Sequence, residues 1–320
     1  MKSPQGRKVV VLSGGVGAAK FLQGLAKVVN PSDISAIVNV ADDTTLHGLR
    51  ICPDLDTVTY TLAGEIDTQK GWGLKNEGWK AMEMLKIYGG LDWFQLGDRD
   101  IGTHMYRTHR LMQGASLTTV TREIASSLNV QVSIMPASDD PISTMVTSPD
   151  LGEINFQDYF VRHQHNLQVS DVRFEGIEKA RPGPEVLDTI LSASSIVIAP
   201  SNPIVSIGPI LAIPGLSDVL KTKRENTIAI SGIINGKALK GPADQLLKDL
   251  GHESSALGVA RIYSEIASNF VIDNADAQHT GLIEDLGMRC FRTDTVMSDS
   301  KKSAKLCKAL LPLCFPEVSR

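Results

Sequence analysis

An α/β fold built on a mostly parallel, Rossmann-like sheet is what this sequence predicts, and three observations predict it. Short runs dominated by apolar residues recur at 9–12, 34–40, 195–200 and 227–230. Each leads into a polar loop, in order SGGVG, ADDTT, SNPIVSIG and SGIINGKALKG. Helix-like patterns fill the spans between, and strands alternating with helices make a parallel sheet with crossover connections. Ligands of such open sheets sit outside the carboxyl ends of the strands, so the four loops are the expected floor of one site.

Taken in order, the first run is four apolar residues ending in Ser13, Gly14, Gly15, Val16 and Gly17, followed by the amphipathic stretch AAKFLQGL. That is a buried strand, a glycine turn and a helix. The second run ends in NVADD, which places Asp42 and Asp43 at a strand end. From about 60 to 130 the periodicity is mostly helical, as in GWKAMEMLKIYGG and SLTTVTREIASSLNV, and all three tryptophans (Trp72, Trp79, Trp93) lie there. This reads as a helical insertion covering the strand ends. The segment 154–181 adds strands at an edge. The tail SDSKKSAKLCKALLPL is a closing helix capped by Ser298 or Asp299. No repeat or low-complexity linker interrupts the chain, so residues 1–320 are expected to form a single α/β domain with that insertion.

Bulk properties narrow the function. The chain is 42% hydrophobic and 21% charged, with a formal net charge of −4. It offers no global basic field to recruit nucleic acid. The four cysteines have no metal-ligand spacing, which favours a reduced, cytoplasmic setting over structural zinc. No signal peptide and no run of ~20 apolar residues is present, so no membrane association is expected.

The chemistry-bearing residues each have a plain structural alternative. Gly14, Gly15 and Gly17 let backbone approach a ligand, and the following helix turns its positive end toward phosphate. Lys20 stands where a dinucleotide fingerprint would carry its third glycine, and no Gly-Lys-Ser/Thr follows, so the turn alone is weak. An acid at the end of the second strand would suit an NAD(P)- or flavin-dependent oxidoreductase. However, Asp54, Asp56, Asp98, Asp100, Asp139 and Asp140 join Asp42 and Asp43 near the strand ends. Several carboxylates facing phosphates require a cation between them, and Mg²⁺ takes one or two carboxylates plus phosphate oxygens. That pattern reads as metal-assisted phosphoryl transfer, although each aspartate alone is as readily a helix cap or turn residue. Ser201 and Asn202 offer groups for a base or ribose, and Pro203 stiffens their loop. His47, Arg50, Arg99, His104 and Arg107 could meet an anionic substrate or balance the aspartates.

The ordered motifs SGGVGAAKFLQGL, NVADD, HGLRICPDLDTVTYTLAG, GWGLKNEGW, LGDRDIGTHMYRT, MPASDDPISTMV, INFQDYFVR, APSNPIVSIGPILAIPG and KGPADQLLKDLG closely resemble those of the 2-phospho-L-lactate transferases. The resemblance runs from about residue 9 to the C-terminus. It implies a Rossmann-like homodimer that requires Mg²⁺. It also implies a reaction in which the ribityl hydroxyl of FO (7,8-didemethyl-8-hydroxy-5-deazariboflavin) attacks a phosphate of a guanosine diphosphate-linked donor. The donor carries a lactyl or enolpyruvyl group, GMP leaves, and coenzyme F-420-0 or its dehydro form results. Carried over by position, Asp56 and Gln95 contact FO, with Gln95 standing where some relatives have Lys. Asp43, preferred over Asp42, and Asp56 are the catalytic and metal-holding residues. Ser13, Gly14, Gly15, Gly17 and Lys20 meet the donor phosphates, and Ser201, Asn202 and Pro203 the guanosine part. The competing classes are the oxidoreductase, which would bind a dinucleotide without metal, and a non-catalytic guanine-nucleotide module.

Overall fold

The computed structural model describes residues 7–315. Seven strands form the central sheet: β1 (Val9–Ser13), β2 (Ile34–Val38), β3 (Ser133–Pro136), β4 (Ser195–Ile198), β5 (Thr227–Ile230), β6 (Asn269–Asp273) and β7 (Arg289–Thr293). Their spatial order is 3-2-1-4-5-6-7, and every neighbouring pair is parallel. Val9 of β1 lies beside Ile34 on one side and Ser195 on the other. Chain order reverses there, between β1 and β4, and that reversal opens the crevice in which doubly wound sheets bind ligands.

β1, β4, β5 and β6 are buried along their whole length. A parallel strand covered by helices on both faces has no solvent side, so its sequence is a continuous apolar run. Burying each Val, Leu or Ile contributes roughly 1.5–3 kcal/mol. The sequence reading passed over β3, β6 and β7, although β6 carries the apolar run Phe270–Ile272. β7 reads RCFRT because it is the outer strand, half-exposed, and lacks the apolar run that marks its neighbours.

Helix α1 (Val16–Leu25) packs its Phe21, Leu22 and Leu25 face into the core and meets the C-terminal helix Ser300–Cys314. That helix is capped by Asp299, whose side chain accepts from the N–H groups of Lys301 and Lys302. Gly24 allows the pair to touch, since a Cβ there would stand 2.5 Å from the backbone of Ser303. Between β2 and β3 run α2 (Pro53–Ala63), α3 (Lys80–Ile87), α4 (Asp98–Met112) and α5 (Leu117–Ser127). The strands of the 154–181 region do not extend the parallel sheet. Gly152–Asn155 and Asp171–Glu175 flank Ser143–Ser148 in a separate antiparallel sheet. Its inner face carries a satellite core of Val146, Phe156, Tyr159, Val169, Val205 and Leu246. Among the described residues, no single helix is long and apolar enough to cross a membrane.

Candidate active site

A cavity of about 830 Å³ lies over the carboxyl ends of β1, β4 and β5, roofed by the insertion. Its size falls in the range of small-molecule sites. The floor is the glycine turn. Gly15 is the N-cap of α1, and the helix opens with no side-chain cap, so its first N–H groups remain for a ligand. Both glycines of this turn that border the cavity are required by close approach. A Cβ on Gly15 would stand 2.6 Å from Asp54 Oδ1, and one on Gly17 would stand 2.4 Å from the Pro200 carbonyl oxygen. Gly14 donates its N–H to Ser201 Oγ at 3.2 Å, which ties the β1 turn to the β4 loop across the switch point.

Of the expected phosphate and guanosine residues, Gly15, Gly17, Lys20, Ser201 and Asn202 border this cavity. Ser13, Gly14 and Pro203 stand behind its wall. Ser13 Oγ donates to the Val11 carbonyl, and Pro203 is the buried first residue of the turn Pro203–Ile207. Asn202 Oδ1 caps that turn by accepting from Ile204 and Val205 N–H at 2.9 and 3.3 Å. The stiff connection and the cavity lining are therefore one device.

The aspartates separate into two sets. Asp42, Asp54, Asp56 and Asp100 line the cavity. Asp139 accepts from Thr118 N–H and Oγ1, Asp140 from Arg181 N–H, and Asp98 from Lys80 and Ala81 N–H, all structural duties. For the expected preference of Asp43 over Asp42, the structure places the two carboxyls on different sides, and Asp43 Oδ1 is buried without a hydrogen-bond partner. Asp43 does not border the cavity and pairs with Arg50 at 3.0 Å. Burial pushes its carboxyl up to about 6 against the pull of that guanidinium. Asp42, its neighbour, turns the other way. Thr144 Oγ1 donates to Asp42 Oδ1 at 3.0 Å, and Asn39 Nδ2 donates to Asp54 Oδ2 at 3.0 Å. Among the described residues neither carboxyl has an ion-pair partner. Burial first, then its neighbour Asp54, pushes Asp42 well above the ordinary carboxylate range; burial raises Asp54 to about 7.

Asp54 and Asp56 occupy the first turn of α2, and residues two apart on a helix point to different sides. Asp54 reaches the glycine turn, whereas Asp56 faces α4. There Asp100, His104 and Arg107 form a stripe at helical spacing opposite Asp56 and Tyr60. Arg107 donates to both oxygens of Asp56, with Nη1 at 3.1 Å from Oδ2. Tyr60 Oη donates to Asp100 Oδ1 at 2.6 Å. Arg107 Nη1 also lies 3.2 Å from His104 Nδ1, which assigns the acceptor role to Nδ1 and the hydrogen to Nε2. That Nε2 is buried without a hydrogen-bond partner, 3.4 Å from Asp100 Oδ2. Burial alone would raise Asp100, but the adjacent His104 ring and the hydrogen bond from Tyr60 outweigh it and hold it below the ordinary range. Both oxygens of Asp56 carry the guanidinium, and Asp56, Asp100 and His104 together offer ligand atoms within 4.8 Å of one another. Gln95 borders the same end of the cavity with Trp93 and Phe94, its Nε2 donating to the Asp92 carbonyl at 2.5 Å. Arg99 instead pairs with Glu65 at 3.3 Å, and exposed His47 meets the Leu91 carbonyl.

Sequence reasoning passed over three lining groups. Phe156, Phe160 and His165 stack in series, with ring centroids 5.4 Å apart at both contacts. Lys70 stands 3.8 Å from the Trp79 ring centroid. Lys240 lies in the loop after β5. The signals were present in INFQDYFVR, GWGLKNEGW and KGPADQLLKDLG, but periodicity does not bring those segments together.

A family model described as 2-phospho-L-lactate transferase CofD matches residues 9–308. The chain belongs to that family. It is 42% identical over 315 residues to a phosphoenolpyruvate transferase of Nocardia farcinica, covering 96% of this chain and 95% of that protein. It is 37% identical over 305 residues to a 2-phospho-L-lactate transferase of Methanosarcina barkeri, covering 95% and 98%. A Bacillus halodurans protein of the UPF0052 family shares the fold with a TM-score of 0.65 at 17% identity, covering 96% of this chain and 100% of that one. Membership in this family sides with group transfer over the dinucleotide oxidoreductase.

Proposed function

We propose that the protein transfers a phospho-lactyl or phosphoenolpyruvyl group from a guanosine diphosphate-linked donor to the ribityl hydroxyl of FO, releasing GMP. The product is coenzyme F-420-0 or its dehydro form. The observation that carries this reading is a single cavity whose phosphate-type floor at Gly15 and Gly17 lies between two chemically different walls. Ser201 and Asn202 stand on the side that suits a guanosine. Asp56 and Gln95 stand on the side that suits FO, with Trp72, Trp93 and Phe94 as apolar surface for a flat ring.

In this reading the open N–H groups of α1 bind the donor phosphates. Arg107 fixes the carboxylate of Asp56, and Asp56 orients the acceptor. The ribityl oxygen forms a bond to phosphorus as the bond to the GMP oxygen breaks, and the loose transition state of such transfers asks for positioning more than for covalent help. Asp42, buried, and Asp54, half-buried, have no ion-pair partner among the described residues and are the residues that fit Mg²⁺ in this reading. When bound, the ion supplies positive charge that offsets the charge developing on the departing phosphate. Homodimer formation and a reducing, cytoplasmic setting go with this reading. The four free cysteines, three of them buried, suit such a compartment.

The deciding experiment mixes the protein with FO, Mg²⁺ and the guanylylated phospholactate or phosphoenolpyruvate donor and follows masses. FO gaining one phospho-three-carbon unit with release of GMP is the expected result. A protein that binds no FO overturns the reading.

A further inference from the structure

Resting on that transferase reading, we propose that Lys20 and Lys240 form a subsite for the carboxylate of the three-carbon acid carried by the donor. Both side chains border the cavity, and they come from elements far apart in sequence. Lys20 is on α1, about one turn, or ~6 Å, beyond Val16. Lys240 is in the loop after the hairpin of Ile233–Ile234 and Lys237–Ala238. Its Nζ reaches across the mouth to the insertion, 3.0 Å from where a Cβ on Gly71 would stand.

Among the described residues neither ammonium has an ion-pair partner, whereas Lys70, the third lysine bordering the cavity, is occupied over the Trp79 ring. Lys20 is lowered first by burial and then by Lys240, so the two charges oppose each other in the free protein. Had they served to neutralise Asp42 and Asp54, they would pair with them, and they do not. A cavity that holds two unpaired cations apart from two unpaired carboxylates is built for a ligand with two kinds of anion. The phosphates belong to the floor, where backbone N–H groups and the aspartate pair meet. Lys20 rises from α1, the helix of the donor floor, and Lys240 reaches Gly71 beside Trp72 of the acceptor wall, so the pair borders both sides of the cavity. A carboxylate seated between them turns a repulsion into two charge-assisted bonds. Lactyl and enolpyruvyl groups carry that carboxylate alike, so this subsite accepts both and rejects a donor without it.

The test is steady-state kinetics of Lys240→Gln and Lys20→Gln, with guanosine diphosphate as a competitive probe that has phosphates but no carboxylate. The KM for the donor is expected to rise about tenfold or more in each variant. Inhibition by guanosine diphosphate and the KM for FO should stay within about twofold of the parent values, and Lys240→Arg should restore most of the donor affinity. An unchanged donor KM overturns the subsite. So does a loss of guanosine diphosphate affinity equal to the loss of donor affinity, which would assign the lysines to phosphate. A parent protein that binds guanosine diphosphate but converts no donor overturns the transferase reading itself, and the subsite with it.

Discussion

Asp54 offers the sharpest perturbation, because its half-buried carboxyl lies in the cavity wall with no ion-pair partner among the described residues and is held at about 7 rather than near 3.8. The folded protein keeps a proton there that the unfolded chain has already released between about pH 4 and pH 7. Stability therefore falls as pH rises through that window and levels off above it. At about 1.4 kcal/mol per pH unit the cost at pH 8 reaches about 4 kcal/mol. Asp54→Asn keeps an oxygen to accept from Asn39 and removes the charge. In metal-free protein it should be nearly neutral near pH 4 and stabilising by up to about 4 kcal/mol at pH 8. For 320 residues, with an unfolding entropy of about 2.1 cal/mol/K each, that is a rise of about 6 °C in Tm. Millimolar Mg²⁺ should raise the Tm of the parent protein at pH 8 and leave the variant where it was. The assay is thermal unfolding at both pH values, with and without the ion. Equal melting of variant and parent at both pH values would refute the claim of an unpaired, half-buried carboxylate. Equal stabilisation by Mg²⁺ would move the metal elsewhere.

Three further outcomes are expected. Arg107→Met leaves Asp56 buried without its partner and should cost about 3–5 kcal/mol in urea unfolding, of which Asp56→Asn in the same chain should recover a part. Gly17→Ala forces a methyl group within 2.4 Å of the Pro200 carbonyl oxygen and should displace the turn from the β4 loop. Guanosine diphosphate titration should then show at least tenfold weaker binding, with the far-ultraviolet circular dichroism unchanged. Trp72 and Trp93 both border the cavity, so FO should quench tryptophan fluorescence, and Trp93→Phe should remove a measurable share of that signal.

How much was legible depended on whether a signal was local. A strand buried on both faces must be apolar throughout, which is why β1, β2, β4 and β5 are visible as runs and their loops could be placed at one end of a sheet. A cap is equally local: Asp299 sits one residue before the helix it starts. The glycine turn was readable because close approach excludes side chains. The motifs from SGGVG to KGPAD carried the family, since their order over the chain is itself a linear property.

Tertiary structure alone decided which charges meet. Asp42 and Asp43 are adjacent and chemically identical, yet one faces the cavity and the other meets Arg50, because successive side chains leave the backbone in different directions. Only α4 brings Arg107 onto both oxygens of Asp56 and sets Asp100 and His104 beside it. Lys20 and Lys240 are 220 positions apart and become neighbours only when the β5 loop closes over α1. An ion pair or a cavity wall is a relation across space, and the local pattern of a chain fixes the partners of neither.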